Sequence, residues 1–274
     1  MTVLGAIPLL LMAGNEDGEA PLEGGFRTEV HRQGDRTFRN AHALSSQVHE
    51  LLIHLEDVGF EAAPSSLGFD GRGRHIVEFL PGEVATGRPP GWVWRDEVLI
   101  SLAGIVRRFH DAVAVFDYSG DVWPRAIGIE QLPSMPGDET IVCHNDIAPW
   151  NTVFQDRQPV ALIDWDSAAV GTRCWDVAYA LWHYVPLYPA YRREQVGASQ
   201  VDNLLERASQ LITTYGLSEE APWMDAVVCR QRATKGELER RAGSDDKAAA
   251  LWAEARPHLD AEIEFVERLA RRWP

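Results

Sequence analysis

Residues 144–151 place a histidine, an aspartate and an asparagine in the pattern H-x-D-x-x-x-x-N. Thirteen residues after Asn151, an apolar run ends at Asp164. Transfer of a phosphoryl group from ATP needs a carboxylate that accepts the proton of the attacking hydroxyl, and oxygen ligands that hold Mg²⁺ against the phosphates. Asp146 is the candidate carboxylate. Asn151 and Asp164 are the candidate ligands, because Mg²⁺ prefers oxygen donors.

A β-hairpin is expected to bring these side chains together. The runs 152–154 and 160–163 are strand-like, and the polar segment 156–158 between them is a turn signal. A tight turn folds Asn151, which opens the first strand, and Asp164, which closes the second, toward the same end. The three-residue pattern alone arises by chance in roughly one chain in a hundred. The interpretation therefore depends on the hairpin and its terminal aspartate.

This loop and hairpin resemble the catalytic loop and metal-binding segment of aminoglycoside phosphotransferases, choline kinases and their relatives in the protein-kinase-like superfamily. The resemblance implies that Asp146 is the catalytic base, Asn151 a Mg²⁺ ligand and Asp164 the principal Mg²⁺ ligand. Asp166 matches a second acidic position that is frequent in the family. His144 is expected to be structural and to pack the loop beneath the site.

The segment 175–178, Trp-Asp-Val-Ala, is similar to a helix start in that family. There the aspartate braces the catalytic loop through backbone hydrogen bonds, which implies a supporting role for Asp176. The alternative is a plain helix N-cap, since aspartate is a good one. The helix ending at His110 is similar to the one that precedes the catalytic segment. We interpret His110 as a buried, hydrogen-bonded histidine and leave it out of the site.

The candidate phosphate-binding residues precede this segment. Gly24 and Gly25 mark a turn whose backbone N–H groups would approach phosphate oxygens, although a simple turn explains two glycines equally well. Arg39 ends a strand where kinases place a phosphate-binding lysine, and arginine is not equivalent to lysine. The following helix should offer this cation a glutamate, but the matching position is Val48, and Glu50 points elsewhere. This departure leaves room for a second hypothesis, a kinase-like protein without catalysis.

The first part of the chain has a mixed pattern of strands and one helix. A Gly34-Asp35 turn joins two strand-like runs, and a helix is expected from Ser45 because apolar residues recur at i, i+3, i+4 and i+7. Two further strands are predicted over 66–69 and 76–80. The end of the last strand resembles a kinase hinge, and this resemblance implies that the backbone at Glu78 and Leu80 binds adenine, although apolar residues here are equally what a buried strand needs.

Apolar residues at helical spacing dominate the rest of the chain, around 99–109, 201–212 and 259–269. The order of elements predicts a bilobal α+β protein with a protein-kinase-like fold. We expect an N-terminal extension over 1–21, a β-rich N-lobe over 22–80 and a larger helical C-lobe over 81–274. The strand that ends before Pro81-Gly82 marks the boundary between the lobes.

The chain has 274 residues and a formal net charge of −15, which argues against a nucleic-acid partner and is compatible with a cationic acceptor. Acidic surfaces also serve solubility alone. No apolar run is long enough to span a bilayer. Residues 1–12 are apolar but lack a basic n-region and a cleavage site, which favours a cytoplasmic protein; a start at Met12 is the alternative. Three widely spaced cysteines fit a reducing compartment.

Two functions are consistent with these patterns. The first is an ATP- and Mg²⁺-dependent phosphotransferase, a small-molecule kinase whose acceptor hydroxyl belongs to an amino sugar, an amino alcohol or a sugar. The alternative is a kinase-like, non-catalytic binding or immunity protein. The segment 48–68 also resembles a subgroup of these phosphotransferases, some of which are labelled trifolitoxin-immunity-like. The complete set of catalytic-loop and metal residues favours the enzyme.

Overall fold

A computed structural model describes residues 18–22, 30–119, 123–243 and 246–273. Gly24 and Gly25 lie outside the described residues. The strands are Ala20–Leu22 (β1), Val30–Gln33 (β2), Arg36–Asn40 (β3), Ser66–Phe69 (β4), Arg74–Glu78 (β5), Glu83–Val84 (β6), Thr140–Cys143 (β7), Thr152–Gln155 (β8), Gln158–Leu162 (β9) and Ala169–Thr172 (β10). The helices are Ser45–Asp57 (α1), Asp96–Val113 (α2), Arg173–Tyr184 (α3), Ala190–Gln195 (α4), Leu204–Tyr215 (α5), Trp223–Ala242 (α6) and Asp246–Ala270 (α7).

The N-lobe is an antiparallel sheet in the order β1-β2-β3-β5-β4, packed with α1. The predicted two-residue turn Gly34-Asp35 joins β2 to β3. The predicted helix is confirmed as α1, and its buried face contacts β4 on one side and α2 on the other. That face consists of four apolar residues at helical spacing, Val48, Leu51, Leu52 and Leu55. The helix therefore joins the N-lobe sheet to the core of the C-lobe.

The C-lobe is helical and contains one hairpin, as the sequence predicts. The helix α2 packs against α5 and β9, α3 packs against α6, and α6 packs against α7. A single large hydrophobic core runs from α1 through these helices. The bilobal α+β fold is thus confirmed. None of the helices in the described ranges combines the length and apolar character that a membrane crossing requires.

The predicted hairpin is confirmed as β8 and β9, and β6 pairs with the other edge of β8. Asp156 and Arg157 form its turn with φ angles of +49° and +63°. Positive φ at both central residues is the geometry of a two-residue type I′ hairpin turn, which matches the twist of the strands. The hairpin brings Asn151, before β8, beside Ile163, after β9: the Ile163 amide donates to the Asn151 carbonyl at 2.9 Å.

A glycine in this turn is expected to stabilise the protein. A left-handed backbone costs an L-residue about 1–2 kcal/mol, whereas glycine adopts it freely but loses about 0.5–1 kcal/mol more entropy on folding. We therefore expect Arg157→Gly to raise the free energy of unfolding by about 0.5 kcal/mol in urea denaturation. The control Gln158→Gly, placed in β9, should lower it. Destabilisation by Arg157→Gly would contradict the turn geometry.

Pro81 and Gly82, at the predicted boundary between the lobes, lie directly against β8. A Cβ at Gly82 (φ +149°) would lie 2.5 Å from Val153 Cγ1 and 2.6 Å from the Phe154 carbonyl oxygen, so a larger residue does not fit. Gln155 Nε2 donates to the Pro81 carbonyl at 2.8 Å. These contacts fix the junction, and the domain boundary at residues 80 and 81 stays a prediction.

Several predicted elements differ in extent from the observed ones. The strand predicted over 76–80 is observed as Arg74–Glu78; the Phe79 amide still donates to the Asp35 carbonyl at 2.7 Å, but Asp35 already lies in the turn before β3. The helix predicted from Val201 begins at Leu204. The helix α6 has no clear apolar period in the sequence, because Arg and Lys residues alternate with its buried positions. Tertiary packing, rather than local pattern, determines that helix.

Candidate active site

Asp176, in the first turn of α3, holds the loop that contains Asp146. Its Oδ2 accepts a hydrogen bond from the His144 amide and its Oδ1 accepts one from the Asn145 amide, both at 2.8 Å. Thr172 is the N-cap of α3, and its hydroxyl accepts from the Trp175 amide at 3.3 Å. The N-cap interpretation of Asp176 is therefore wrong, and the carboxylate braces the loop instead.

The Asp176 carboxylate is fully buried, with 0% of its side chain exposed. Burial alone would raise its pKa, but hydrogen bonds from His110 and the loop amides hold the pKa below the ordinary value. Burial lowers the pKa of His110, so the imidazole is neutral. His110 Nε2 then donates to Asp176 at 3.3 Å, and its Nδ1 accepts from the Tyr215 hydroxyl at 2.7 Å. His110 is a satisfied buried histidine, and it also supports the brace.

Asn145 adopts a left-handed backbone conformation with φ +64°. Its side-chain amide donates to the carbonyls of Cys143 and Ala169 at 3.4 and 3.3 Å. Arg230 from α6 donates to the Asn145 carbonyl at 2.6 Å. The Arg230 guanidinium lies 4.5 Å from the centre of the Tyr179 ring, a cation–π arrangement. The loop is thus held from both α3 and α6, and Arg230 was not predicted.

Asp146 follows this left-handed residue and is partly exposed. The Tyr179 hydroxyl donates to Asp146 Oδ1 at 2.7 Å. Burial and the neighbouring Asp146 carboxylate raise the pKa of Tyr179 well above its ordinary value, so the phenol stays protonated as a donor. Tyr179 was also not predicted. It lies three residues after Asp176 on α3, and residues at that spacing share a helix face.

His144 is buried beneath the loop, where the sequence places it. Its Nε2 donates to the Ile163 carbonyl at 3.1 Å, and its Nδ1 accepts from the Asp146 amide at 3.3 Å. The His144 ring packs against Trp165 with 4.5 Å between ring centres. The histidine therefore ties the loop to the segment that carries Asp164.

Asn151 and Asp164 lie at the same end of the hairpin. Asn151 Nδ2 donates to the Asp146 carbonyl at 2.9 Å, which leaves its Oδ1 as the atom that could bind a cation. Asp164 has φ +64°, and 43% of its side chain is exposed. An amide oxygen and an accessible carboxylate are hard donors that suit Mg²⁺, an ion that keeps several waters and takes few protein ligands.

Arg39 crosses from β3 of the N-lobe to this end of the hairpin. Its Nη2 contacts Asp164 Oδ1 at 2.8 Å, and its Nη1 contacts Asp166 Oδ1 at 3.0 Å. His42 Nε2 contacts the same Asp166 oxygen at 3.1 Å. Burial would raise the pKa of Asp166, but the His42 hydrogen bond and Arg39 lower it overall. Val48, at the position where α1 was expected to offer a glutamate, is a buried apolar residue. The negative charge that faces Arg39 therefore comes from Asp164 and Asp166 of the C-lobe.

The predicted hinge lies at the end of β5. The Glu78 amide donates to the Ser65 carbonyl at 2.9 Å, and the Phe79 amide donates to the Asp35 carbonyl at 2.7 Å. Both amides therefore already donate hydrogen bonds to carbonyls of the protein itself. Contacts of Glu78 and Leu80 with adenine stay predictions.

A mostly buried aromatic cluster of Trp150, Tyr179 and His183 adjoins Asp146. Trp150, with 38% of its surface exposed, packs edge-on against His183, 4.7 Å between ring centres. The His183 ring also packs 4.5 Å from Tyr179. Burial lowers the pKa of His183 well below its ordinary value, so the ring is neutral. Its Nδ1 is 2.5 Å from the Tyr188 hydroxyl, and its buried Nε2 has no hydrogen-bond partner among the described residues.

Behind α3, Glu262 of α7 is 4% exposed. It accepts hydrogen bonds from Trp182 Nε1 at 2.9 Å and Arg192 Nε at 3.3 Å. Burial is the main cause that raises its pKa to about 7. Because the folded pKa is raised, the stability that Glu262 contributes is present at acid pH and is lost as pH rises through about 7.

We therefore expect Glu262→Gln to flatten the pH dependence of stability. Between pH 5 and pH 8 the free energy of unfolding of the wild type should fall by up to about 3 kcal/mol more than that of the variant. Urea denaturation at both pH values measures this difference. The control Glu264→Gln, at an exposed position of the same helix, should follow the wild type. A Glu262→Gln profile that is parallel to the wild type would refute this assignment.

Comparison with known proteins identifies a family by sequence and a shared fold by structure. Residues 119–211 match the phosphotransferase enzyme family, APH. The trifolitoxin immunity protein of Rhizobium leguminosarum bv. trifolii is 32% identical over 243 residues, which cover 86% of this chain and 90% of that protein. The amicoumacin kinase hAmiN, solved with AMP-PNP, Ca²⁺ and Ami, has a TM-score of 0.60 at 14% identity, covering 93% of this chain and 89% of that one. A choline/ethanolamine kinase family protein from Mesorhizobium loti has a TM-score of 0.56 at 16% identity, covering 95% of both chains.

Proposed function

This chain belongs to the phosphotransferase enzyme family, and from this membership we propose that it transfers the γ-phosphoryl group of ATP to a hydroxyl of a small molecule. One observation supports the proposal most directly. Asp146, Asn151 and Asp164 form one connected unit, because Asn151 Nδ2 donates to the Asp146 carbonyl and the Ile163 amide donates to the Asn151 carbonyl. If these three residues only packed the core, they would have no need to form a connected unit at the cleft that Arg39 spans.

Asp146 is the proposed base. The Tyr179 hydroxyl donates to Oδ1 and fixes the carboxylate, which leaves Oδ2 to accept the proton of the acceptor hydroxyl. The oxygen of that hydroxyl forms the new bond to phosphorus as the bond to the ADP oxygen breaks, and the proton passes to Asp146. The brace from Asp176 holds the loop still, so the base is in position before the acceptor arrives.

The Asn151 side-chain oxygen and the Asp164 carboxylate would hold Mg²⁺, and Arg39 would bind phosphate oxygens. Mg²⁺ when bound neutralises charge on the phosphates. The residues fit this purpose because both ligands are oxygen donors at one end of the hairpin, with a guanidinium beside them. The nucleotide and Ca²⁺ in the amicoumacin kinase structure support the same use of this fold.

The acceptor would lie beside Asp146, where Trp150 is 38% exposed at the edge of the buried aromatic cluster that it forms with Tyr179 and His183. An exposed aromatic ring can pack against the face of a sugar ring or, through a cation–π contact, against the ammonium group of an amino sugar or amino alcohol.

Product analysis tests the proposal. The protein is incubated with Mg²⁺, ATP and kanamycin, choline or glucose in turn, and ³¹P NMR follows ADP and new phosphate monoesters. The proposal expects ADP and one monoester in equal amounts with at least one acceptor. Binding of ATP without ADP or monoester in any mixture counts against the enzyme.

A second candidate function is immunity by binding, favoured by the similarity to the trifolitoxin immunity protein. Expression of wild type and Asp146→Asn in a trifolitoxin-sensitive strain separates the two functions. Protection that survives the substitution indicates binding alone. Protection that disappears with a folded variant indicates phosphoryl transfer to the toxin or to its target.

A further inference from the structure

The cation of β3 has two carboxylate partners with different surroundings. Arg39 Nη1 contacts Asp166 and Nη2 contacts Asp164, at 3.0 and 2.8 Å. The Asp166 side chain is 13% exposed, like that of Arg39, whereas the Asp164 side chain is 43% exposed. The Nη1 contact is therefore shielded from solvent, whereas the Nη2 contact is partly exposed.

Two side chains of the protein itself hold Asp166. Its Oδ1 contacts both Arg39 and His42, which lies two residues after the end of β3. Separating the buried Arg39–Asp166 pair would be costly, because the guanidinium left behind would be buried without this countercharge. Among the described residues Asp164 has Arg39 as its ion-pair partner, and its side chain is 43% exposed.

At the position where the resemblance expects a glutamate, the helix α1 offers Arg39 no carboxylate. Val48 is buried at that position, and Glu50 is exposed. The 3₁₀ turn Trp165–Ser167, which follows Asp164, supplies the carboxylate from the opposite lobe. The ion pair therefore also links the N-lobe sheet to the metal-binding segment.

We propose that Asp166 is a positioning residue, the permanent countercharge of Arg39, and not a metal ligand. Asp164 is the exchangeable partner, released from Arg39 when a cation takes its carboxylate. The Nη1 contact to Asp166 keeps the guanidinium in the cleft while Nη2 is free for phosphate. This inference rests on the proposed nucleotide binding of the site.

Matched substitutions at positions 164 and 166 distinguish the two roles. Without Asp166, Arg39 loses its fixed orientation and turns onto Asp164, so Asp166→Asn should weaken metal-free ATP binding about 10-fold. Asp164→Asn removes a competing charge, so it should leave metal-free binding unchanged or tighter and abolish the enhancement by Mg²⁺. In an Arg39→Met background, Asp166→Asn should have no further weakening effect.

The measurement is isothermal titration of the full chain with ATP, in EDTA and in excess Mg²⁺. Metal-free affinity unchanged by Asp166→Asn, with loss of the Mg²⁺ enhancement, would make Asp166 a metal ligand and overturn the inference. If Asp166→Asn does not fold, Arg39→Lys replaces it, because one ammonium cannot contact Asp166 and a phosphate as the planar guanidinium does. Wild-type metal-free affinity in Arg39→Lys would overturn the inference equally. If the wild type itself binds no ATP, the proposed function is what fails.

Discussion

Asp146→Asn is expected to lower kcat for phosphoryl transfer about 10³-fold, because a positioned general base contributes about 10²- to 10⁴-fold. The amide keeps the shape of the carboxylate and can still accept from Tyr179, so the loop should stay in place. The Kd for Mg·ATP should change by less than about 2-fold, since the metal and phosphate contacts are made by other residues. Single-turnover kinetics and ATP titration measure the two quantities separately.

Asp156→Asn is the matched control, since Asp156 is an exposed aspartate at the far end of the same hairpin. We expect it to retain wild-type kcat. Retained turnover in a folded Asp146→Asn protein would remove Asp146 from the role of base and leave the proposed chemistry without a proton acceptor.

Asp176→Asn is expected to lower the free energy of unfolding by about 3 kcal/mol. Activity should fall as well, because the loop that carries Asp146 is no longer held in place. The carboxylate accepts from two loop amides and from His110, and an amide nitrogen in its place would face one of these donors. A buried donor left without an acceptor carries the full cost of desolvation. Urea denaturation with its midpoint and slope measures the change.

The pH dependence of this contribution has a definite sign. Because the folded pKa of Asp176 is lowered, the stabilisation is present above pH ~4 and is lost as pH falls through the folded pKa. Asp176→Asn should therefore differ from the wild type most at neutral pH and least in acid. The control Asp225→Asn, exposed on α6, should show neither effect. Equal stability of wild type and Asp176→Asn at pH 7 would contradict the brace.

The hairpin was predictable because its signals are local. Alternating apolar runs, a polar turn and the flanking Asn151 and Asp164 lie within one short segment, so the pattern alone determines which ends meet. Tyr179 could have been found by the same logic. It lies three residues after Asp176 and so shares a face with the residue that braces the loop.

Other parts of the site depend on contacts between residues that are distant in the chain, and these contacts could not be predicted from the sequence. Arg39 and Asp164 are 125 residues apart in the chain, and no local pattern pairs them. Arg230 belongs to a helix with no clear apolar period, and only the packing of α6 on α3 brings it to Asn145. Val48 stands where the resemblance expects a glutamate, and the carboxylates that contact Arg39 come from the other lobe.

A thermal-shift titration with ATP, with and without Mg²⁺, tests the central claim most directly, because a ligand that binds the native state raises the melting temperature in step with its concentration. We compare the wild type with Asp164→Asn, and with Asp156→Asn as the control. We expect Mg·ATP to stabilise the wild type and the control more than ATP alone, and Asp164→Asn to lose this Mg²⁺-dependent part. No stabilisation of the wild type at millimolar Mg·ATP, or an equal Mg²⁺ effect in Asp164→Asn, would contradict this claim.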